Sequence, residues 1–317
     1  MGRFVPPREG RVVRSAALMA RAPGHPASTP RRVVIGVDFT SAPRPRKPIT
    51  VAVGTLAASG ADPVYRLKTV HGIEGFPGFE AFLREPGAWV GGFDLPFGQP
   101  RTLIEHEGWP TEWRRFVEFY CGQRREHLRD VFRRWCASRP DGDKFAWRKA
   151  DKPAGSSPAM RWTNPPVAWM MHAGIGRMVA AELAFPAHGV AGRGAAADRV
   201  ALEAYPAFTA RQACRKSYKS DTPVAQTPER RANRRMIVKA LVAGAAGLAP
   251  RLDLTATWRR KLVDDPAGDL LDAVICALQA AHASLAPNYG LPPDVDRLEG
   301  WIAAVPTPFG ATQPSTT

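Results

Sequence analysis

The sequence predicts an α/β protein: a mixed sheet of three antiparallel strands followed by parallel strands, with flanking helices and a helical insertion. Three observations carry this expectation. Short apolar runs separated by turn residues fill the first part of the ordered chain. Later segments carry apolar residues at helical spacing. Strand-like and helix-like runs then alternate, which suits a sheet covered by helices.

Residues 1–31 are rich in Arg, Pro, Ala and Gly without periodicity, and read as a disordered basic tail. Order is expected from Arg32. Val33 to Asp38 runs Val-Val-Ile-Gly-Val-Asp, a short apolar run that suits a buried strand. Thr40-Ser41-Ala42-Pro43 turns the chain, and the basic loop Arg44-Pro45-Arg46-Lys47-Pro48 follows. Ile49–Leu56 and Val64–Val70 are the second and third strands, and their short connections suggest an antiparallel meander. Pro77–Glu85 carries Phe79, Phe82 and Leu83 at helical spacing and stops at Pro86-Gly87. Ala88–Asp94 is a fourth strand, and Arg199–Tyr205 a fifth. Between them, a largely helical insertion is expected at about 100–190, with loop-like sequence from Pro140 to Pro166. Pro228–Leu248 and Leu270–Ala286 read as helices, the second with Leu271, Val274, Ile275 and Leu278 at core spacing. Leu298–Val305 is a candidate last strand. The order β-β-β-α-β-α-β-α is that of the RNase H-like fold, here a domain over 32–306 followed by a disordered tail over 307–317.

The chain of 317 residues is long enough to bury a core without staples. Its 44 Lys and Arg outnumber 29 Asp and Glu, a formal charge of +15. That surplus suits a polyanionic partner such as DNA or RNA, and equally a proteome in which Arg-rich composition is general. Cys121, Cys136, Cys214 and Cys276 form no CxxC pair, which argues against a zinc site of that kind and fits free thiols in the cytoplasm. No apolar run approaches the roughly 20 residues that span a bilayer, so no membrane partner is expected.

Three strand-like runs end in an acid: Asp38, Asp94 and Glu203. An Asp closing a buried strand is costly unless it is paired or binds a cation. Asp269 and Asp272, three residues apart, share one side of a helix's first turn. Each signal has a plainer explanation. A strand-end Asp forms turns, Asp269 suits an N-cap, and Glu203 could pair with an Arg. Their repetition favours one acidic pocket. Clustered carboxylates repel and require protons or cations, and hard oxygen donors suit Mg²⁺ or Mn²⁺. Asp38, Asp94, Glu203 and Asp272 are therefore the catalytic candidates, and Asp38, Asp94, Asp272 and Asp269 the metal-ligand candidates. A pair of such ions supports displacement at phosphorus without a Ser, Cys or His nucleophile. None of the seven His stands in an HExxH or HxH pattern.

Four segments together resemble the domain of unknown function 429 family. They are Gly36-Val37-Asp38-Phe39-Thr40-Ser41-Ala42-Pro43, Phe93-Asp94-Leu95-Pro96-Phe97-Gly98, Glu203-Ala204-Tyr205-Pro206 and Asp269 through Ala277. Glu299-Gly300-Trp301-Ile302 fits as well, so the resemblance spans roughly 33–305. It implies a predicted nuclease of RNase H-like fold without an established substrate. The first and last motifs also resemble RuvC-type Holliday junction resolvases. That resemblance implies that Asp38 and Asp272 hold metal, with Asp269 assisting, and that a homodimer is possible. The resolvases place a Glu where this chain has Asp94. Glu203 lies one strand farther out, from where it either touches metal or supports the residues that do.

Cations and aromatics cluster over 111–149 and again over Arg211, Arg215, Lys216 and Lys219. The nucleic-acid-binding candidates are Arg44, Arg46, Lys47, Arg124, Arg125, Arg133, Arg134, Arg215 and Lys216. Trp135, beside Val131 and Phe132, belongs to the core instead. The leading expectation is a metal-dependent nuclease. The alternatives are a nucleic-acid-binding protein with a degenerate site and an actin-like phosphotransferase. The last would need a second Gly-rich phosphate loop, for which Gly192-Arg193-Gly194 is too slight.

Overall fold

The computed structural model describes residues 32–58 and 62–307. The expected tail over 1–31 lies outside the described residues, as does the tail beyond Thr307. Six strands form one mixed sheet: β1 (Arg32–Asp38), β2 (Ile49–Ala57), β3 (Val64–Ile73), β4 (Trp89–Asp94), β5 (Arg199–Glu203) and β6 (Arg251–Asp253). Their spatial order is β5-β4-β1-β2-β3-β6. β1, β2 and β3 pair antiparallel, as the short connections require, whereas β4 joins β1 and β5 joins β4 in parallel. The parallel strands need crossovers. Helix α1 (Phe76–Arg84) leads into β4, and a long helical stretch separates β4 from β5.

That stretch holds α2 (Arg101–His106), α3 (Trp113–Gly122), α4 (Arg125–Ala137), α5 (Asp151–Ala154) and α6 (Val167–Ala180). With α1 they cover one face of the sheet, in a core that includes Ile35, Val37, Phe93, Trp113, Phe132 and Trp135. The opposite face carries α7 (Pro206–Ala213), α8 (Pro228–Ala243), α9 (Ala256–Asp264) and α10 (Asp269–Ala283). Its core includes Val34, Val90, Leu202, Ile237, Leu271 and Val274. Alternate residues of β1, β2, β4 and β5 divide between these two cores, as the two-residue period of a strand dictates.

α10 lies across β1 and β4 and is buried along almost its whole length. The contact is backbone to backbone. A Cβ at Gly36 would stand 2.0 Å from the Ala273 carbonyl oxygen, and one at Gly92 would stand 2.2 Å from that of Cys276. Glycine is what allows the helix this close.

The five expected strands form with ends shifted by no more than a few residues. Leu298–Val305 does not continue as a strand. It touches the sheet through a single bridge between Ile302 and Glu203 and otherwise turns. The helix expected over Pro228–Leu248 stops at Ala243, where Gly244 takes a left-handed φ of 70° and closes it. Asp269 is the first residue of α10 rather than its cap, which is Gly268 at φ 79°. α7, β6 and α9 have no counterpart in the sequence reading. Among the described residues no helix is long and apolar enough to cross a membrane.

Candidate active site

Asp38 and Asp94 close neighbouring parallel strands, and their Cα atoms are direct register partners. Both belong to the alternating set that faces α10, with Gly36 and Gly92 two residues before them. Asp272 sits in the first turn of that helix, fully buried. Three distant segments thus deliver three carboxylates to one place. All of them raise one another's proton affinity where the shift is resolved. Burial, then the charges of Asp272, Asp269 and Asp94, push the Asp38 carboxyl well above its usual range, with Lys219 opposing. Burial, then Asp272 and Glu203, push Asp94 up to about 7, again against Lys219.

Lys219 is the built-in counter-ion. Its ammonium binds Asp272 Oδ2, while the Tyr218 hydroxyl donates to Oδ1 at 2.6 Å. Burial alone would lower the Lys219 pKa; Asp272, Tyr218 and Asp38 raise it well above the usual value instead. Both oxygens of Asp272 are therefore engaged. Among the described residues, the carboxylates of Asp38 and Asp94 accept no hydrogen bond and form no ion pair. They line a cavity of about 790 Å³ together with Lys219 and Asp269.

The basic loop after β1 forms the rim. Lys47 bridges Asp269 (2.8 Å) and Asp221 (2.7 Å), which ties this loop to the segment around Asp221. Arg44 and Arg46 also line the cavity, are exposed, and carry no ion pair among the described residues.

Glu203 is placed differently. Its register partner is Phe93, one residue short of Asp94, so its side chain leaves the sheet on the opposite face. There Arg148 grips both its oxygens at 2.7 and 2.6 Å, and the Phe97 amide donates to Oε2 at 2.9 Å. Arg148 also binds Asp151 at 2.8 Å, and all three residues are buried. Burial raises the Glu203 pKa and Arg148 opposes it. Glu203 and Arg148 line the same cavity as a buried ion pair, the pairing with an Arg that the sequence left open.

Of the other expected cations, Arg124, Arg125, Arg133, Arg134, Arg215 and Lys216 lie outside the lining of this cavity. Lys216 pairs with Glu229 at 3.1 Å, Arg134 lies 3.8 Å from Glu107, and Arg125 stacks 5.6 Å from the Trp169 ring centre. Trp135 is in the core, as expected, and so is Trp113. The sequence groups Lys219 with the cations Arg211, Arg215 and Lys216 and does not single out Tyr218; neither stands in a periodic segment that flags it.

Among the described residues no group of three His, Cys, Asp or Glu side chains is arranged to hold a metal ion. Asp272 is engaged by Lys219 and Tyr218, whereas Asp38 and Asp94 have no hydrogen-bond partner among the described residues. The donor chemistry, all hard oxygen, nevertheless fits Mg²⁺ or Mn²⁺ at Asp38 and Asp94. No protein-family model matches the chain, and neither the curated proteins nor the solved structures give a match.

Proposed function

We propose that this chain is a metal-dependent nuclease of RNase H-like fold that hydrolyses phosphodiester bonds of DNA or RNA. One observation carries the reading. Two carboxylates in register on adjacent strand ends face a cavity without any protein donor, and a third from α10 stands beside them. Strand order supports the fold assignment, since three antiparallel strands continued by two parallel ones on the β1 side follow the RNase H arrangement.

Asp38 and Asp94 would hold a Mg²⁺ or Mn²⁺ ion, with Asp272 beside them on Lys219. A divalent ion so bound supplies an activated water and neutralises charge at phosphorus. Lys219 keeps the empty cluster from repelling itself apart. Arg44 and Arg46 draw the phosphate backbone to the rim without reading sequence. No side-chain nucleophile is required. The +15 charge of the chain favours a polyanion.

The test is cleavage of labelled single-stranded, duplex and branched nucleic acids with Mg²⁺ or Mn²⁺. Asp38→Asn should lower the rate by at least about a hundredfold. Equal cleavage by that variant, or no cleavage by the native chain, would overturn the reading. A second reading, a nucleic-acid-binding protein without catalysis, draws on Lys219: an internal ammonium already neutralises part of the cluster. It is distinguished by salt-dependent binding that neither needs Mn²⁺ nor changes when Asp38 is replaced.

A further inference from the structure

The cavity holds more than the acids, and its walls differ in chemistry. Its floor is Asp38, Asp94 and Lys219, and the β1–β2 loop with Arg44 and Arg46 is one rim. A further part of the lining comes from the segment just before α6 and that helix's first turn: Asn164, Pro165, Pro166, Val167 and Met170. These five are partly or fully exposed, and the Asn164 amide makes no side-chain hydrogen bond among the described residues.

A phosphodiester backbone gains nothing from such a wall. Sugar and phosphate are polar and charged, and the cations without an ion pair that suit them, Arg44 and Arg46, come from a different segment of the lining. A nucleobase, by contrast, has an apolar face for proline, valine and methionine and a hydrogen-bonding edge for an amide. The cavity volume, about 790 Å³, falls in the range of roughly 300–1,000 Å³ of pockets that enclose a small ligand. An intact duplex presents its bases stacked and paired, so their faces are not free to lie on this surface.

We propose that the site takes a strand end, or a single nucleotide splayed out of its strand, with its base on the 164–170 wall and its phosphate between Arg44, Arg46 and the acids. This rests on the nuclease reading above and narrows its substrate to unpaired DNA or RNA. Asn164 and Met170 are then specificity-determining residues.

The experiment compares, with Mn²⁺ and the full chain, a single-stranded oligodeoxynucleotide, its RNA counterpart, the blunt duplex of the same sequence, and bis(p-nitrophenyl) phosphate, which has no base. The unpaired strands should be cleaved at least about tenfold faster than the duplex. DNA and RNA arms identify which sugar is preferred. Asn164→Ala combined with Met170→Ala should raise KM for the unpaired strand by about tenfold, and by much less for bis(p-nitrophenyl) phosphate. The melting temperature of the variant checks that it folds. Duplex cleaved as fast as single strand, or KM rising equally for both probes, overturns this inference while leaving the nuclease reading intact. Cleavage of none of the four overturns both.

Discussion

Asp94 and Glu203 end adjacent strands, follow similar apolar runs and look alike in sequence, yet they meet opposite fates. Both reach the same cavity, but Asp94 faces it with no hydrogen-bond partner among the described residues, whereas Glu203 is clamped there by Arg148. A one-residue difference in register separates them, because it turns the two side chains to opposite faces. What covers each face then decides the outcome. The stretch after α4 supplies a guanidinium on one side, and α10 supplies another acid on the other. A strand-end acid gripped on both oxygens by a guanidinium is fixed in place, whereas one whose nearest cation binds a neighbouring acid keeps its own oxygens free.

The largest expected effect falls on the paired acid. Arg148→Met leaves Glu203 and Asp151 buried without their cation, a loss of about 3–5 kcal/mol of stability, measured as a lower urea midpoint. Asp38→Asn and Asp94→Asn relieve repulsion and should hold or raise that midpoint. Similar losses in all three variants would erase the contrast.

Divalent cations should act on the unpaired acids alone. Mn²⁺ at about a hundred times its Kd is expected to stabilise the native chain by about 2.7 kcal/mol in thermal unfolding, and to do nothing for Asp38→Asn. A native chain indifferent to Mn²⁺ would break the comparison from the other side.

A third effect tests how strongly burial near Arg148 opposes uncompensated charge. His188 stacks on Trp113 at 4.2 Å, and its Nδ1 donates to the Arg297 carbonyl at 2.7 Å. Burial, with Arg148 adding to it against that hydrogen bond, lowers its pKa from 6.5 to about 3. Between those values the unfolded chain binds a proton that the folded chain refuses. Stability is therefore full above the unfolded value and falls as pH drops from 6.5 towards 3, by up to about 1.4 kcal/mol per pH unit. His188→Asn should flatten that slope in denaturation series taken across the window.

The smallest effect separates rim cations from remote ones. Lys216→Gln breaks an exposed pair and should change stability by less than about 1 kcal/mol. Arg44→Gln should lower the salt slope of nucleic-acid binding by about 0.7–0.9, and Lys216→Gln should leave it unchanged.

Period-two and period-3.6 patterning made β1 to β5, α1 and α10 legible, because each buries a continuous apolar stripe. α7 and α9 escaped, being short, and α9 mixes Trp258, Arg259, Arg260 and Lys261 with few buried positions. β6, three residues long, carries too little pattern to read. Asp38, Asp94 and Asp272 were legible as acids placed where burial penalises them. Glu203 was not separable from them, since strand register is a relation between two segments and neither states it alone. Arg148 finds Glu203 across 55 positions, and Lys219 finds Asp272 across 53. Such pairings leave no local trace in a chain with 44 cations.

Gly36 and Gly92 bear on more than packing. The separation between Asp272 and the two strand-end acids equals the separation between a helix and the strands it rests on, and two missing methyl groups set that distance. Alanine at either position would act as a shim, lifting the helix off the strands and widening the gap between the acids. The calibration of this centre therefore resides in residues that have no side chain with which to touch anything.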